Sequence, residues 1–126
     1  MFREELPAQC PPAHAAAPDD LEVFRVMRTD LPTVEAFDSQ AKLGTVSLEG
    51  RDAEFACRAS SCSVFSQIAG ATKLTKLPKF RDCKFIAHLR LNANSGMVHN
   101  SSGYHWDWWI FSDCDILACV TGVSHA

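Results

Sequence analysis

The densest chemistry in this chain of 126 residues lies in Tyr104-His105-Trp106-Asp107-Trp108-Trp109, which holds all three tryptophans. As a strand, the segment puts Tyr104, Trp106, Trp108 and Ile110 on one face and His105, Asp107 and Trp109 on the other. The first face reads as core. The second sets an imidazole beside a carboxylate, which favours the protonated ring and suits acid–base work near neutral pH. The same pair also reads as a plain hydrogen-bonded contact on a sheet. His105 and Asp107 are the candidate catalytic residues, and Trp109, next along the same face, is a candidate ligand contact. The preceding residues 92–103 are rich in Asn, Ser and Gly, and are expected to form a mobile loop or short hairpin of the kind that carries sites.

Arg25 is the second unusual position. It shares a strand face with Val23 and Met27, so its guanidinium must snorkel, pair with a carboxylate or bind a ligand anion. Ser63 sits in a short apolar strand ahead of a helix, and Ser66 is placed to cap that helix, where free N–H groups suit a phosphate. Arg25 and Ser63 join Trp109 as ligand-binding candidates. His88 reads as an exposed residue on a polar strand face. His99 lies in the loop within reach of His105, but the spacing matches no tight metal motif, and no metal is expected. The sequence has no Walker loop, no G-x-G-x-x-G and no G-x-S-x-G.

The elements that must position these groups follow from pattern. Residues 1–20 hold four of the six prolines and no periodicity, and are expected to be a tail or docked arm outside the core. Residues 21–126 form the single domain. Strands are expected at Leu21–Arg28, Ser61–Ser66, Lys84–Leu91 and Tyr104–Phe111. A further strand at Ile116–Val123, apolar on both faces, is expected to be central. Helices are expected at Val34–Lys42 and Gln67–Leu77, the second stopped by Pro78. Residues 45–60 are ambiguous, with a strand near Thr45–Leu48 followed by a loop. The class is α+β: one compact domain of mostly antiparallel strands with two short helices.

Composition bounds the partners. Apolar residues make up 47% and charged residues 21%, so disorder and fibrous folds are disfavoured. No run approaches the roughly 18–20 apolar residues of a membrane span, so no membrane partner is expected. Glu4, Glu5 and the early prolines leave no apolar segment for a secretory signal, and a cytoplasmic location follows as the default. The net charge of -3 hides a stretch from Lys73 to Arg90 with six basic residues and one acid. That stretch can attract phosphate or form a solvated face, but is too weak a basic excess for a duplex nucleic acid. Six cysteines are expected mainly as free core thiols. The Cys57/Cys62 and Cys114/Cys119 pairs are each five positions apart, which suits neither a chelate nor a disulfide on one regular element.

The order of Arg25 in VFRVMR, Ser63 in SCSVF and Asp107 in HWDWW resembles the small ADP-ribosyltransferase-like fold. The resemblance implies a nicotinamide dinucleotide (NAD) ligand, with Arg25 holding its phosphate. It implies that Ser63 orients the first strand's contact and that Asp107 steadies a ribosyl cation. The segments FRVMRTDLPTVEAFDS, CSVF and LPKFRDCKFIAHL also resemble small uncharacterised bacterial proteins. The expected function is therefore a nucleotide or dinucleotide pocket between the first and penultimate strands. The alternative is a non-catalytic interaction module in which the tryptophan strand meets a protein partner, including a second copy of the chain.

Overall fold

A computed structural model describes all of residues 1–126. Six strands, β1 (Leu21–Met27), β2 (Cys62–Phe65), β3 (Phe85–Leu91), β4 (Gly96–Ser102), β5 (His105–Ile110) and β6 (Val120–His125), form one sheet in the order β4-β5-β2-β1-β3-β6. Every neighbouring pair is antiparallel. Four short helices complete the α+β fold: α1 (Gln40–Leu43), α2 (Ala53–Ala59), α3 (Ile68–Thr75) and α4 (Ile116–Cys119). No helix is long and apolar enough to cross a membrane.

Strand alternation gives the sheet two different faces. On one, Val23, Val64, Ala87, Leu89, Val98 and Trp108 join Phe37 and Ile116 in a 12-residue core. On the other, Phe24 and Ile86 meet Ala71 of α3 in a smaller cluster. α2 lies over the β5 end of this second face, where the Trp109 indole donates to the Cys57 carbonyl at 3.0 Å. Gly96 opens β4 at φ +145°, and a side chain there would collide with the Trp109 carbonyl and the Trp108 indole.

The N-terminal residues are tied down at several points. The Ser112 N–H donates to the Met1 carbonyl at 2.7 Å and the Arg3 N–H to the Ile110 carbonyl at 2.8 Å. Ala16 and Val98 exchange two backbone bonds of 2.9 and 2.8 Å. A disulfide joins Cys10 to Cys57, so these two cysteines are not the free thiols expected. The other four, Cys62, Cys83, Cys114 and Cys119, are free.

Several elements depart from the sequence pattern. The helix expected over 34–42 breaks at Asp38, which has extended backbone angles, into a 3-10 turn at Val34–Phe37 and α1. α1 begins where the Ser39 hydroxyl accepts from the Lys42 N–H. Thr45–Leu48 is not a strand. The ambiguous stretch instead holds α2, capped by the Asp52 carboxylate, which accepts from the Phe55 N–H at 2.8 Å. Residues 96–102 are β4, zipped to β5 as a hairpin. Ile116–Val123 is no central strand, because Asp115 caps a helical turn and the chain extends only from Val120, as the sheet's edge. The expected helix after β2 forms as α3, with Gln67 rather than Ser66 at its N-cap and no side-chain cap bond.

Candidate functional site

Register carries the site. β5 lies between β2 and β4, and Asp107 is opposite Ser63 on one side and His99 on the other. The three residues form a cross-strand row on the face covered by α2 and α3. Arg58 enters from the last turn of α2, Ser61 from the short turn linking α2 to β2, and His14 from the N-terminal arm. The His14 and His99 rings meet edge to face, with centroids 4.2 Å apart.

Asp107 is only 1% exposed, and its carboxylate is poorly satisfied. The Ser61 hydroxyl is shared between the Arg58 carbonyl at 2.7 Å and Asp107 Oδ1 at 3.2 Å. Oδ2 has no hydrogen-bond partner, and its nearest cation, Arg58 Nε, stands 3.6 Å away on a half-exposed side chain. Burial raises the Asp107 pKa, opposed by the charges of His105 and Arg58 and by the Ser61 hydroxyl. His105 Nδ1 is 2.6 Å from Ser101 Oγ and 3.9 Å from Asp107 Oδ1. Burial lowers the His105 pKa and outweighs the upward pull of Asp107, the reverse of the effect expected from their spacing alone. Burial thus works against the charged form of each group, and His105 Nε2 remains free of protein partners. Such a pair can pass a proton either way.

Arg25 does not join them. Phe24 pairs with Phe65 and Ser63 with Asp107, so Arg25 projects from the opposite face of the sheet. There its Nε donates to the Ala36 carbonyl at 3.1 Å, and its two terminal nitrogens donate to Ser63 and Asp38 carbonyls at 2.9 and 3.2 Å. It neither snorkels nor waits for an anion; it clamps the 3-10 turn to β2. Its only bond to Ser63 is through the backbone. Trp109 is 1% exposed beneath α2, with its indole N–H already bonded, so it offers no surface to a ligand. Trp108 is fully buried and Trp106 half-buried, while Tyr104, expected in the core, is 55% exposed.

His88 is half-buried rather than exposed, with Nε2 2.8 Å from Ser124 Oγ and its ring against Phe24. His99 lies in β4, and no group of three or more His, Cys, Asp and Glu side chains is arranged to hold a metal ion. The six basic residues from Lys73 to Arg90 are all exposed. Arg58, Ser61, Ser101 and His14 are the site residues that sequence reading missed. The Asp52 cap with Glu54 in the first turn signals the helix that delivers Arg58. Nothing local signals His14, which arrives through the arm.

A groove of about 590 Å³ lies elsewhere, between the arm and α1, lined by Arg3, Glu4, Glu5, Lys42 and their neighbours. Its charges are largely spent within the protein: Arg3 pairs with Asp38 at 2.7 Å and Glu4 accepts from the Ser39 N–H at 3.0 Å. Comparison with protein-family models, curated proteins and solved structures gives no match for this chain.

Proposed function

We infer that the Asp107 cluster is a binding site for a nucleoside phosphate or a small polar ligand of that kind. The observation that carries this reading is the buried Asp107 carboxylate, with Oδ2 lacking any donor and a half-exposed arginine standing over it. Buried polar atoms are normally satisfied, and an orphaned acceptor beside a movable cation invites a ligand that supplies the missing donor. A sugar hydroxyl suits Asp107 Oδ2, and a phosphate suits Arg58 once it swings outward. His105, held by Ser101, supplies a proton donor or acceptor beside the ligand hydroxyl.

This reading keeps the nucleotide ligand and uses Asp107, with Ser63 beside it in the register, but gives no role to Arg25, which lies across the sheet. It therefore commits to binding with acid–base capacity rather than to ADP-ribosyl transfer. A tryptophan-based protein interface draws little support, since Trp108 and Trp109 are interior. The Cys10–Cys57 bond also bears on location, because disulfides persist in oxidising compartments and are rare where glutathione keeps thiols reduced. It weighs against the cytoplasmic default.

The test is titration of nucleoside mono- and diphosphates while tryptophan fluorescence and melting temperature are followed. A saturable rise in melting temperature is expected, with Arg58→Ala weakening binding about tenfold or more, a loss of about 1.4 kcal/mol. A folded wild-type protein that responds to neither ligand sinks the reading. An unchanged affinity in Arg58→Ala removes Arg58 from it.

A further inference from the structure

Cys114 and Cys119 lie far along the chain from the existing disulfide, at the crossover that carries the chain from β5 to the edge strand β6. Their five-residue spacing would separate them on any single regular element, but the chain between them is not one element. Cys114 closes a turn in which its N–H donates to the Phe111 carbonyl at 3.1 Å. Asp115 then caps the one helical turn of α4, which ends at Cys119. That change of direction brings the two sulfurs to 3.9 Å. Both residues are partly exposed, unlike the buried thiols of Cys62 and Cys83.

The surroundings treat the two sulfurs unequally. Ser95 Oγ lies 3.8 Å from Cys119 Sγ, and the Cys114 thiol is placed to donate to the same atom. Cys114 has no comparable donor and faces the charges of Asp113 and Asp115; Cys119 also feels Asp115, whose carbonyl lies 3.6 Å from its sulfur, but has the two donors besides. We propose that Cys114 and Cys119 form a thiol–disulfide exchange site for low-molecular-weight disulfides, with Cys119 as the attacking sulfur and Cys114 as the resolving one. Donated hydrogen bonds from Cys114 and Ser95 lower the Cys119 pKa to about 6, and the Cys114 thiol is raised by the same pairing.

The chemistry balances with the small disulfide as oxidant. The Cys119 thiolate attacks one sulfur of the disulfide, forming a mixed disulfide and expelling one small thiolate. Cys114 gives up its proton and attacks Cys119 Sγ, forming the Cys114–Cys119 bond and expelling the second thiolate. The protein dithiol loses two electrons, and the small disulfide gains them. Closing the bond needs the sulfurs to approach from 3.9 Å to roughly 2.0 Å. It would also disturb Ser95, whose carbonyl accepts from the Trp108 indole at 3.2 Å, giving the closure an optical signal.

The experiment exposes the full-length folded protein, with Cys10–Cys57 intact, to oxidised glutathione and maps its disulfides by mass spectrometry. The expected product has lost two hydrogens and carries a Cys114–Cys119 link, with Cys62 and Cys83 still free. Cys114→Ser should stop at glutathione on residue 119, and Cys119→Ser should react about fivefold or more slowly than wild type. Ser95→Ala, which leaves both sulfurs in place, should slow the first step without abolishing the product. The proposal is overturned if wild-type protein stays a dithiol, if both sulfurs collect separate glutathione, or if Cys119→Ser reacts as fast as wild type.

Discussion

Two charged side chains are sequestered on opposite faces of one sheet, and they are treated in opposite ways. Arg25 gives its guanidinium to three backbone carbonyls and so joins three segments that are distant in sequence. Asp107 receives a shared hydroxyl at one oxygen and nothing at the other. A half-buried charge with every nitrogen hydrogen-bonded behaves as a structural bracket, while a buried one left incomplete is held in readiness by the fold around it. The contrast separates two residues that look equally anomalous in sequence. The arginine is architecture, and the aspartate is the site.

The largest effect should come from removing the bracket. Arg25→Met keeps the aliphatic bulk but leaves the Ala36, Asp38 and Ser63 carbonyls without their donor, and should cost about 4 kcal/mol. Urea unfolding checks it; a loss under about 1 kcal/mol would erase the distinction drawn between the two charges. Next in size is the bond that fixes the site's own cover. Cys10→Ser releases the arm from α2 and should cost about 3 kcal/mol, since the bond closes a long loop in the unfolded chain. Because α2 carries Arg58, nucleotide affinity should fall along with stability. If affinity survives in the folded variant, the arm is not needed to shape the site.

How far this contrast is legible in the sequence differs from element to element. The strands from Leu21, Cys62, Phe85 and His105 are plain in the alternation of their side chains, because burial on a sheet has period two. α2 and α4 are hard to see because each is a turn or two long, set by one capping aspartate rather than by a stripe. The position of β6 at the edge is not legible at all. It depends on which strand the crossover reaches, a tertiary matter that its apolar composition does not encode. At the site, the pairing of His105 with Asp107 is visible from their spacing, but the sense of their pKa shifts is not. Spacing reveals the neighbour's charge, while desolvation depends on what α2 and the adjacent strands lay over them. Arg25 misleads for a related reason: three carbonyls from distant segments leave no mark in its own sequence.

The smaller effects probe Asp107 and His105 themselves. Asp107→Asn removes a buried charge but keeps an oxygen for Ser61, so stability at neutral pH should change by no more than about 1 kcal/mol. Nucleotide binding should nevertheless fall, since the amide is a weaker acceptor and holds no charge for a hydroxyl. The pH dependence gives a finer separation. Asp107 has its pKa raised from 3.8, so the folded state holds its proton more tightly, and its contribution to stability declines as pH rises from 3.8 through the raised value. Asp107→Asn should flatten that decline in melting temperature. His105 has its pKa lowered from 6.5, so the unfolded state binds the extra proton first, and stability is lost as pH falls from 6.5 toward the lowered value. His105→Gln should remove that loss while leaving the acidic-side change due to Asp107. If His105→Gln instead steepens the loss on acidification, the ring is held charged by Asp107 after all, and the pair is an ion pair of the same completed kind as the Arg25 bracket.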